Sequence, residues 1–187
     1  IGYKFGLEFM SSKRGRHFVS KLRNKIIFVD LKLNDTVNTM LSAVKALKDL
    51  KINYLTVHIS SGLAALKAVK KVSRCKIVGV STLTSLNNKD LKTIGYNRSI
   101  KNLVSHQAKL AKRAGVDALV CSPYEVNIVR KVFKKEIITP GVQIGKKNYD
   151  QKRSMEAKKV NSDWLVIGRS VTRGNIKNNI QKLIKSI

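Results

Sequence analysis

Short apolar runs alternate with longer amphipathic segments along the 187 residues of the chain. A short apolar run is typical of a buried strand, whereas apolar residues three and four positions apart indicate a helix with one buried face. Regular alternation of the two predicts repeated strand–helix units around a parallel sheet. The predicted strands cover residues 2–5, 26–31, 54–58, 76–81, 118–121, 137–139 and 164–167.

An amphipathic segment of helical period follows each of these strands. The predicted helices cover residues 17–23, 37–50, 64–72, 102–114, 124–133, 154–160 and 176–187. Eight strand–helix units close a (β/α)8 barrel, which carries its functional site at the carboxyl ends of the strands. An open doubly wound sheet is the alternative, but its usual glycine-rich dinucleotide fingerprint is absent from the sequence. We therefore predict an α/β fold of the TIM (β/α)8-barrel type, one unit short, in a single domain over residues 1–187.

Charged residues gather where the second predicted strand ends. Asp30 and Lys32 lie at the end of an apolar run, and Asp35 follows in the next loop. Because side chains alternate along a strand, Asp30 and Lys32 are expected on the same face. Two carboxylates beside an ammonium can stress a bound anion and deliver a proton to carbon, although a lysine paired with two surface aspartates has the same spacing. His58, at the end of the next strand, is interpreted as a packed histidine.

Composition indicates an ordinary globular protein. Hydrophobic residues make up 43% and charged residues 26% of the chain. No apolar stretch has the length of a membrane-spanning helix, and the first residues do not resemble a signal peptide, so a cytoplasmic protein is predicted. Cys75 and Cys121 lie far apart in apolar segments, which favours two reduced, buried thiols, and no zinc-type spacing occurs.

Net charge is the unusual feature, since 38 Lys and Arg residues against 11 Asp and Glu residues give +27. Such a charge attracts nucleic acids, acidic membranes or phosphorylated substrates. Most of the lysines fall on the polar faces of predicted helices, which indicates solvated surfaces. Aromatic residues are 6% of the chain and scattered, unlike the basic and aromatic patch of a dedicated nucleic-acid module. We therefore expect neither a specific nucleic-acid partner nor a membrane partner.

Eight short motifs follow one another along nearly the whole chain. They are Tyr-Lys-Phe-Gly-Leu-Glu-Phe at 3–9, Phe-Val-Asp-Leu-Lys-Leu-Asn-Asp at 28–35, Val-His-Ile-Ser-Ser-Gly at 57–62, Thr-Leu-Thr-Ser at 82–85, Leu-Val-Cys-Ser at 119–122, Thr-Pro-Gly-Val at 139–142, Asp-Gln-Lys-Arg at 150–153 and Val-Ile-Gly-Arg-Ser-Val-Thr at 166–172. In this order, the motifs resemble those of the orotidine 5'-phosphate decarboxylase family.

The resemblance implies a decarboxylase that converts orotidine 5'-phosphate to UMP in pyrimidine biosynthesis without metal or cofactor. The proton donor of the family falls on Lys32, and its charged network falls on Lys4, Asp30 and Asp35. Asp35 would reach into the site of a neighbouring subunit, which implies a homodimer. Loss of carbon dioxide leaves a carbanion, so a fixed cation that stabilises and then protonates it suits this chemistry.

Substrate contacts are also implied by the resemblance. At the end of the last strand, the segment Ile167-Gly168-Arg169 offers backbone N–H groups and the Arg169 guanidinium, where barrels commonly bind phosphate. Gln151 is expected to close over the same phosphate, and Thr84 to contact the pyrimidine edge. Two further substrate contacts are assigned to Thr39 and Gln143, which follow the matching segments 28–35 and 139–142.

The sequence departs from the family pattern at three places. The first strand of the family, with an aspartate that binds ribose hydroxyls, has no counterpart, so the barrel is expected to be open between its first and last strands. Gln143 stands where the family usually has an arginine, which predicts weaker phosphate binding. Val37 replaces the usual proline in the loop after Asp35, which permits more backbone freedom there.

Two other functions remain open at this point. Magnesium-dependent sugar-phosphate lyases of the same superfamily resemble the Asp-x-Lys-x-x-Asp pattern, but they carry a carboxylate at the position of Lys4. An inactive barrel that binds nucleic acid through its basic surface would explain the charge without catalysis, and it predicts salt-sensitive binding.

Overall fold

The computed structural model describes residues 1–143, 155–156 and 159–186. In chain order its elements are β1 (Gly2–Gly6), α1 (Leu7–Ser11), α2 (Gly15–Lys21), β2 (Ile26–Leu33), α3 (Val37–Ala46), β3 (Tyr54–His58), α4 (Gly62–Val72), β4 (Lys76–Val80), α5 (Asn88–Thr93), α6 (Ile100–Ala114), β5 (Ala118–Val120), α7 (Val126–Val132), β6 (Glu136–Thr139), β7 (Val142–Gln143), β8 (Met155–Glu156), β9 (Trp164–Leu165), α8 (Arg169–Thr172) and α9 (Ile176–Ser186). Two compact units are formed, Ile1–Ser81 with Lys109–Leu119, and Thr82–Ala108 with Val120–Ile187.

In the first unit, β1, β2, β3 and β4 are parallel neighbours in chain order. Parallel strands are covered on both faces, which explains why they are apolar runs rather than alternating ones. Val29, Leu55 and Ile77 are fully buried in these strands. The helices α3 and α4 bury the apolar stripes that their sequence period predicts, with Met40 and Val44 in α3 and Ala65, Leu66 and Val69 in α4.

In the second unit, β6 pairs in parallel with β9, and the two-residue strands β7 and β8 pair with each other. Phe133 and Ile137 are buried in its core, together with Val129 of α7. Thr139, the last residue of β6, is fully buried, and its Oγ1 has no hydrogen-bond partner within the described residues. Its hydroxyl therefore contributes no hydrogen bond to the described part of this core.

The same pair of hydrogen bonds recurs at the amino ends of the strands. Asn53, Asp117 and Asp163 each stand just before a strand, and each side chain accepts a hydrogen bond from a backbone N–H near the start of another strand, at 2.7 to 2.8 Å. The backbone N–H of the same three residues donates to the carbonyl of that same strand residue. These paired bonds satisfy strand-end groups that would otherwise be buried without a partner, and they fix one end of the strands.

All seven predicted strands are present, with ends that differ by at most two residues. The helix predicted over 154–160 is wrong at Met155–Glu156, which is a strand; residues 154, 157 and 158 lie outside the described residues. The helix predicted over 37–50 ends at Ala46 and continues as turns. The single-domain interpretation stays a prediction.

Two smaller expectations can also be compared with the structure. Both cysteines are free thiols, with Cys121 buried as expected and Cys75 only half-buried. Within the described part of the chain, we find no helix that combines the length and the apolar character required to cross a membrane.

Candidate active site

The second strand carries the candidate site at its carboxyl end. The apolar run of β2 places Asp30 in the core, where the residue is 8% exposed. Beyond it the ladder with β3 is interrupted: Val29 pairs with Leu55 and Leu33 with Val57, so three residues of β2 lie opposite Thr56 alone. Within this bulge Lys32 has φ of 51°, in the left-handed region that a lysine rarely adopts. Such a conformation costs about 1–3 kcal/mol and often marks a functional site.

Three side chains meet around the carboxylate of Asp30. Lys4 Nζ and Lys32 Nζ each lie 2.9 Å from Asp30 Oδ2, and both lysines are part-exposed. Thr56 Oγ1 donates to Asp30 Oδ1 at 3.0 Å. Lys4 comes from β1, where Gly6, two residues further on, lies opposite Asp30. Of the predicted charged network, Lys4, Asp30 and Lys32 are thus brought together in this unit.

The two ammonium groups determine the charge state of Asp30. Burial alone would raise the pKa of this carboxyl, but the charges and hydrogen bonds of Lys4 and Lys32 outweigh burial and hold the pKa below its ordinary value. For His58, at the end of β3, burial lowers the pKa and the positive charge of Lys32 lowers it further, although Asp30 acts in the opposite direction. Asp30 is therefore ionised and His58 neutral near pH 7.

We expect the stability of the protein to fall in two steps on acidification. Because His58 has a lowered pKa in the folded state, the unfolded chain binds its proton first, and stability falls as the pH drops below about 6.5. The same sign applies to Asp30, whose stabilising effect is complete above about pH 4 and is lost as the pH falls through its folded-state pKa. Urea unfolding of the parent and of His58→Gln across this range measures both steps. The upper step should disappear in His58→Gln, and an unchanged profile contradicts the assignment.

Asp35 and Thr39 lie at the surface of the same unit. Asp35 follows β2, and its Oδ1 accepts a hydrogen bond from the backbone N–H of Thr36 at 2.6 Å. Thr39, on the first turn of α3, lies with its Oγ1 3.0 Å from the hydroxyl of Thr36. Both residues are exposed, as is Val37 at the start of α3. The loop after β2 therefore presents these polar groups to solvent.

The other predicted substrate contacts belong to the second unit. Gly168 precedes α8, and Arg169, the first residue of that helix, is exposed. Thr84 lies half-buried after β4. Gln143 ends β7 and its side chain is outside the described part of the structure, whereas Gln151 lies outside the described residues altogether.

Thr56 is the site residue that the sequence reasoning missed. It is fully buried, and its hydroxyl both donates to Asp30 and accepts from the backbone N–H of Lys32, at 2.7 Å. A signal was present, because Thr56 is a hydroxyl residue between Leu55 and Val57 in a buried strand. A buried hydroxyl needs partners, so its position beside the Asp30 segment was informative.

Metal coordination has no evident site in the described ranges: across 1–143, 155–156 and 159–186, no cluster of three or more His, Cys, Asp or Glu residues could hold an ion. The negative charge at the end of β2 is instead compensated by Lys4 and Lys32, since both ammonium groups lie on one oxygen of Asp30. This arrangement can present a positive charge and a proton at a fixed place beside a buried carboxylate.

Known proteins resemble the chain over almost its whole length. A family model described as the orotidine 5'-phosphate decarboxylase / HUMPS family matches residues 1–181. The orotidine 5'-phosphate decarboxylase of Wolbachia sp. subsp. Brugia malayi is 40% identical over 191 residues, which cover 97% of this chain and 84% of that protein. The enzyme of the same name from Haemophilus influenzae is 38% identical over 98% of this chain and 84% of its own length.

A solved structure supports the fold prediction. The crystal structure of orotidine 5'-phosphate decarboxylase from Lactobacillus acidophilus matches with a TM-score of 0.82 at 28% identity, covering 98% of this chain and 85% of that one. The predicted TIM-barrel type of α/β fold is thereby confirmed, and with it the resemblance on which the site residues were assigned. Family model, relatives and fold agree that the chain belongs to the orotidine 5'-phosphate decarboxylase / HUMPS family.

Proposed function

We propose that this protein decarboxylates orotidine 5'-phosphate to UMP, without metal or cofactor, and that Lys32 donates the proton to C6. The observation that carries the proposal is the buried carboxylate of Asp30 with two ammonium groups at 2.9 Å. Curated relatives with this activity in their names, at 38 and 40% identity, support the choice of reaction.

The reaction needs what this network offers. When the bond between C6 and the carboxylate carbon breaks, carbon dioxide leaves and the electron pair stays on C6. A cation already fixed beside C6 stabilises that pair, and transfer of a proton from Lys32 Nζ to C6 completes the product. Asp30, held ionised, would disfavour the substrate carboxylate more than the transition state, since the carboxylate departs as neutral carbon dioxide.

Lys4 supports a metal-independent reaction. Its ammonium lies 2.9 Å from Asp30 Oδ2 and so occupies a carboxylate oxygen, the type of ligand that magnesium prefers. The buried carboxylate is therefore already compensated by the side chains of the protein. A magnesium-dependent lyase, the alternative considered from the sequence, would require the Lys4 ammonium to be absent from this position.

The phosphate and base contacts form part of the same proposal. Arg169 would bind the phosphate, together with the backbone N–H groups after Gly168, and Gln151 would close over it. Thr84 would contact the pyrimidine, while Thr39 and Gln143 would add polar contacts. Exposure of Arg169 supports its role, since a charged group that receives a soluble dianion must be accessible.

We also propose a homodimer in the cytoplasm, in which Asp35 approaches the site of the partner subunit. The exposed position of Asp35 on the loop after β2 supports this, because a residue that reaches another subunit must project from its own. Sedimentation equilibrium tests the dimer: a monomer at the concentrations used in the activity assay would overturn it.

The function is tested by adding orotidine 5'-phosphate to the purified protein in EDTA. Substrate loss is followed by absorbance and UMP is identified by chromatography. Turnover that is unchanged by EDTA is expected. A folded protein without turnover, or one that cleaves only a hexulose or ketogulonate phosphate with added magnesium, would overturn the proposal.

A further inference from the structure

The conformation of Lys32 needs an external constraint. Its φ of 51° lies in the left-handed region, which is intrinsically unfavourable for a lysine. The surrounding ladder does not supply that constraint, because the pairing of β2 with β3 is interrupted between Val29 and Leu33. Without a further contact, relaxation of the bulge would turn the Lys32 side chain away from its present position.

Thr56 provides the contact from the opposite strand. Its Oγ1 accepts the backbone N–H of Lys32 at 2.7 Å and donates its own proton to Asp30 Oδ1 at 3.0 Å. The two bonds have fixed directions, since the N–H can only donate and the ionised carboxylate can only accept. A group that does both at one point is required, and a hydroxyl fulfils that requirement.

Burial excludes a direct role for Thr56 in the reaction. The residue has no exposed surface, and its hydroxyl already makes two hydrogen bonds, so it is not available to a substrate. It joins the backbone of the proposed proton donor to the carboxylate that pairs with that donor's side chain. The backbone of Lys32 is thus linked to Asp30 Oδ1 through the Thr56 hydroxyl, and its side chain contacts Oδ2 of the same carboxylate.

We propose that Thr56 is a positioning residue that holds Lys32 in its left-handed bulge, and so places its ammonium for proton transfer. The expected effect on kcat rests on the proposed function, whereas the constraint that Thr56 places on the Lys32 backbone does not. Since a shift of about 1 Å in a reacting group can lower a rate about 100-fold, loss of the hydroxyl should act chiefly on kcat.

Thr56→Val tests the proposal because it removes the hydroxyl at nearly constant volume. We expect kcat to fall about 100-fold and KM to change less than about threefold, because the proposed phosphate and base contacts come from other residues. Thr56→Ser restores both bonds and should stay within about fivefold of the parent kcat. If Thr56→Val does not fold, Thr56→Cys, with its weak donor and acceptor, should lose at least about tenfold in kcat.

Thr139→Val is the matched control. It makes the same substitution at another fully buried threonine in a strand, and the hydroxyl of this threonine has no hydrogen-bond partner within the described residues. We expect its kcat to remain within about twofold of the parent. A folded Thr56→Val or Thr56→Cys protein that behaves like this control would overturn the inference.

Amide hydrogen exchange of residues 26–33 separates this inference from the proposed function. The Lys32 N–H should exchange faster in Thr56→Val than in the parent and in Thr56→Ser, whether or not the protein decarboxylates the substrate. Absence of turnover in the parent would overturn the proposed function alone. Unchanged exchange in Thr56→Val would overturn the positioning role alone.

Discussion

Substitution of Lys32 by alanine is expected to lower kcat for orotidine 5'-phosphate by at least about 10⁴-fold. The change removes the proposed proton donor, an effect of about 10²–10⁴, and also the positive charge that stabilises the carbanion, for which about 10²–10³ is typical. It also leaves Asp30 with Lys4 as its remaining described cation, because the 2.9 Å contact from Lys32 Nζ is lost. Steady-state turnover in EDTA measures the loss.

Binding of UMP provides the internal control for this substitution. Since the proposed phosphate contacts come from Arg169 and its neighbours, the affinity for UMP should change less than about fivefold. Lys45→Ala, which removes an exposed lysine near the end of α3, tests the simple loss of one charge from a chain of +27. It should retain kcat within about twofold. Lys32→Ala that keeps more than about 1% of the parent kcat would exclude Lys32 as the donor.

The strands were predictable from the sequence because a buried parallel strand is a nearly uninterrupted apolar run. Ile26–Leu33 and Tyr54–His58 both have this character, and their limits were found to within two residues. Helices were less predictable at their ends. The amphipathic pattern after Val37 continues to Leu50, but the helix ends at Ala46 and Leu47 and Leu50 are buried from turns instead. The period of the apolar residues indicates which residues are buried, but it does not show whether their backbone is a helix or a turn.

The charged residues of the site were also predictable, but their geometry was not. Strict alternation along a strand was the reason for placing Asp30 and Lys32 on one face. In the structure their side chains do meet, at 2.9 Å, although the strand is bulged and Lys32 is left-handed. A bulge depends on how two strands pair, and the sequence of one strand does not contain that pairing.

For the same reason, Thr56 was overlooked. Its role depends on the opposite strand, where its hydroxyl meets the backbone of Lys32 and the carboxylate of Asp30, more than twenty positions away in sequence.

The helix predicted over 154–160 was wrong for a different reason. Its polar and apolar residues fit a helical period, yet Met155–Glu156 pairs with Val142–Gln143 as a strand, a long-range contact that overrides local preference.

Replacement of Asp30 by asparagine is expected to lower kcat about 10³-fold and to destabilise the fold by about 1–3 kcal/mol at pH 7. The carboxylate accepts both ammonium groups on Oδ2 and the Thr56 hydroxyl on Oδ1. A neutral amide keeps the shape but not the charge, so the two lysines repel each other and Lys32 moves toward solvent. Turnover in EDTA and urea unfolding measure the two effects.

Asp49→Asn is the matched control, because it makes the same substitution in an exposed ion pair. Asp49 Oδ1 lies 2.6 Å from Arg16 Nη2, but its side chain is 60% exposed, so this pair contributes at most about 1 kcal/mol. Its kcat should be unchanged.

The stability difference between the parent and Asp30→Asn should shrink as the pH falls below about 4, because the parent then loses the charge of Asp30 as well. If the difference between Asp30→Asn and the parent is the same at pH 7 and pH 3, ionisation of Asp30 is not what stabilises the network.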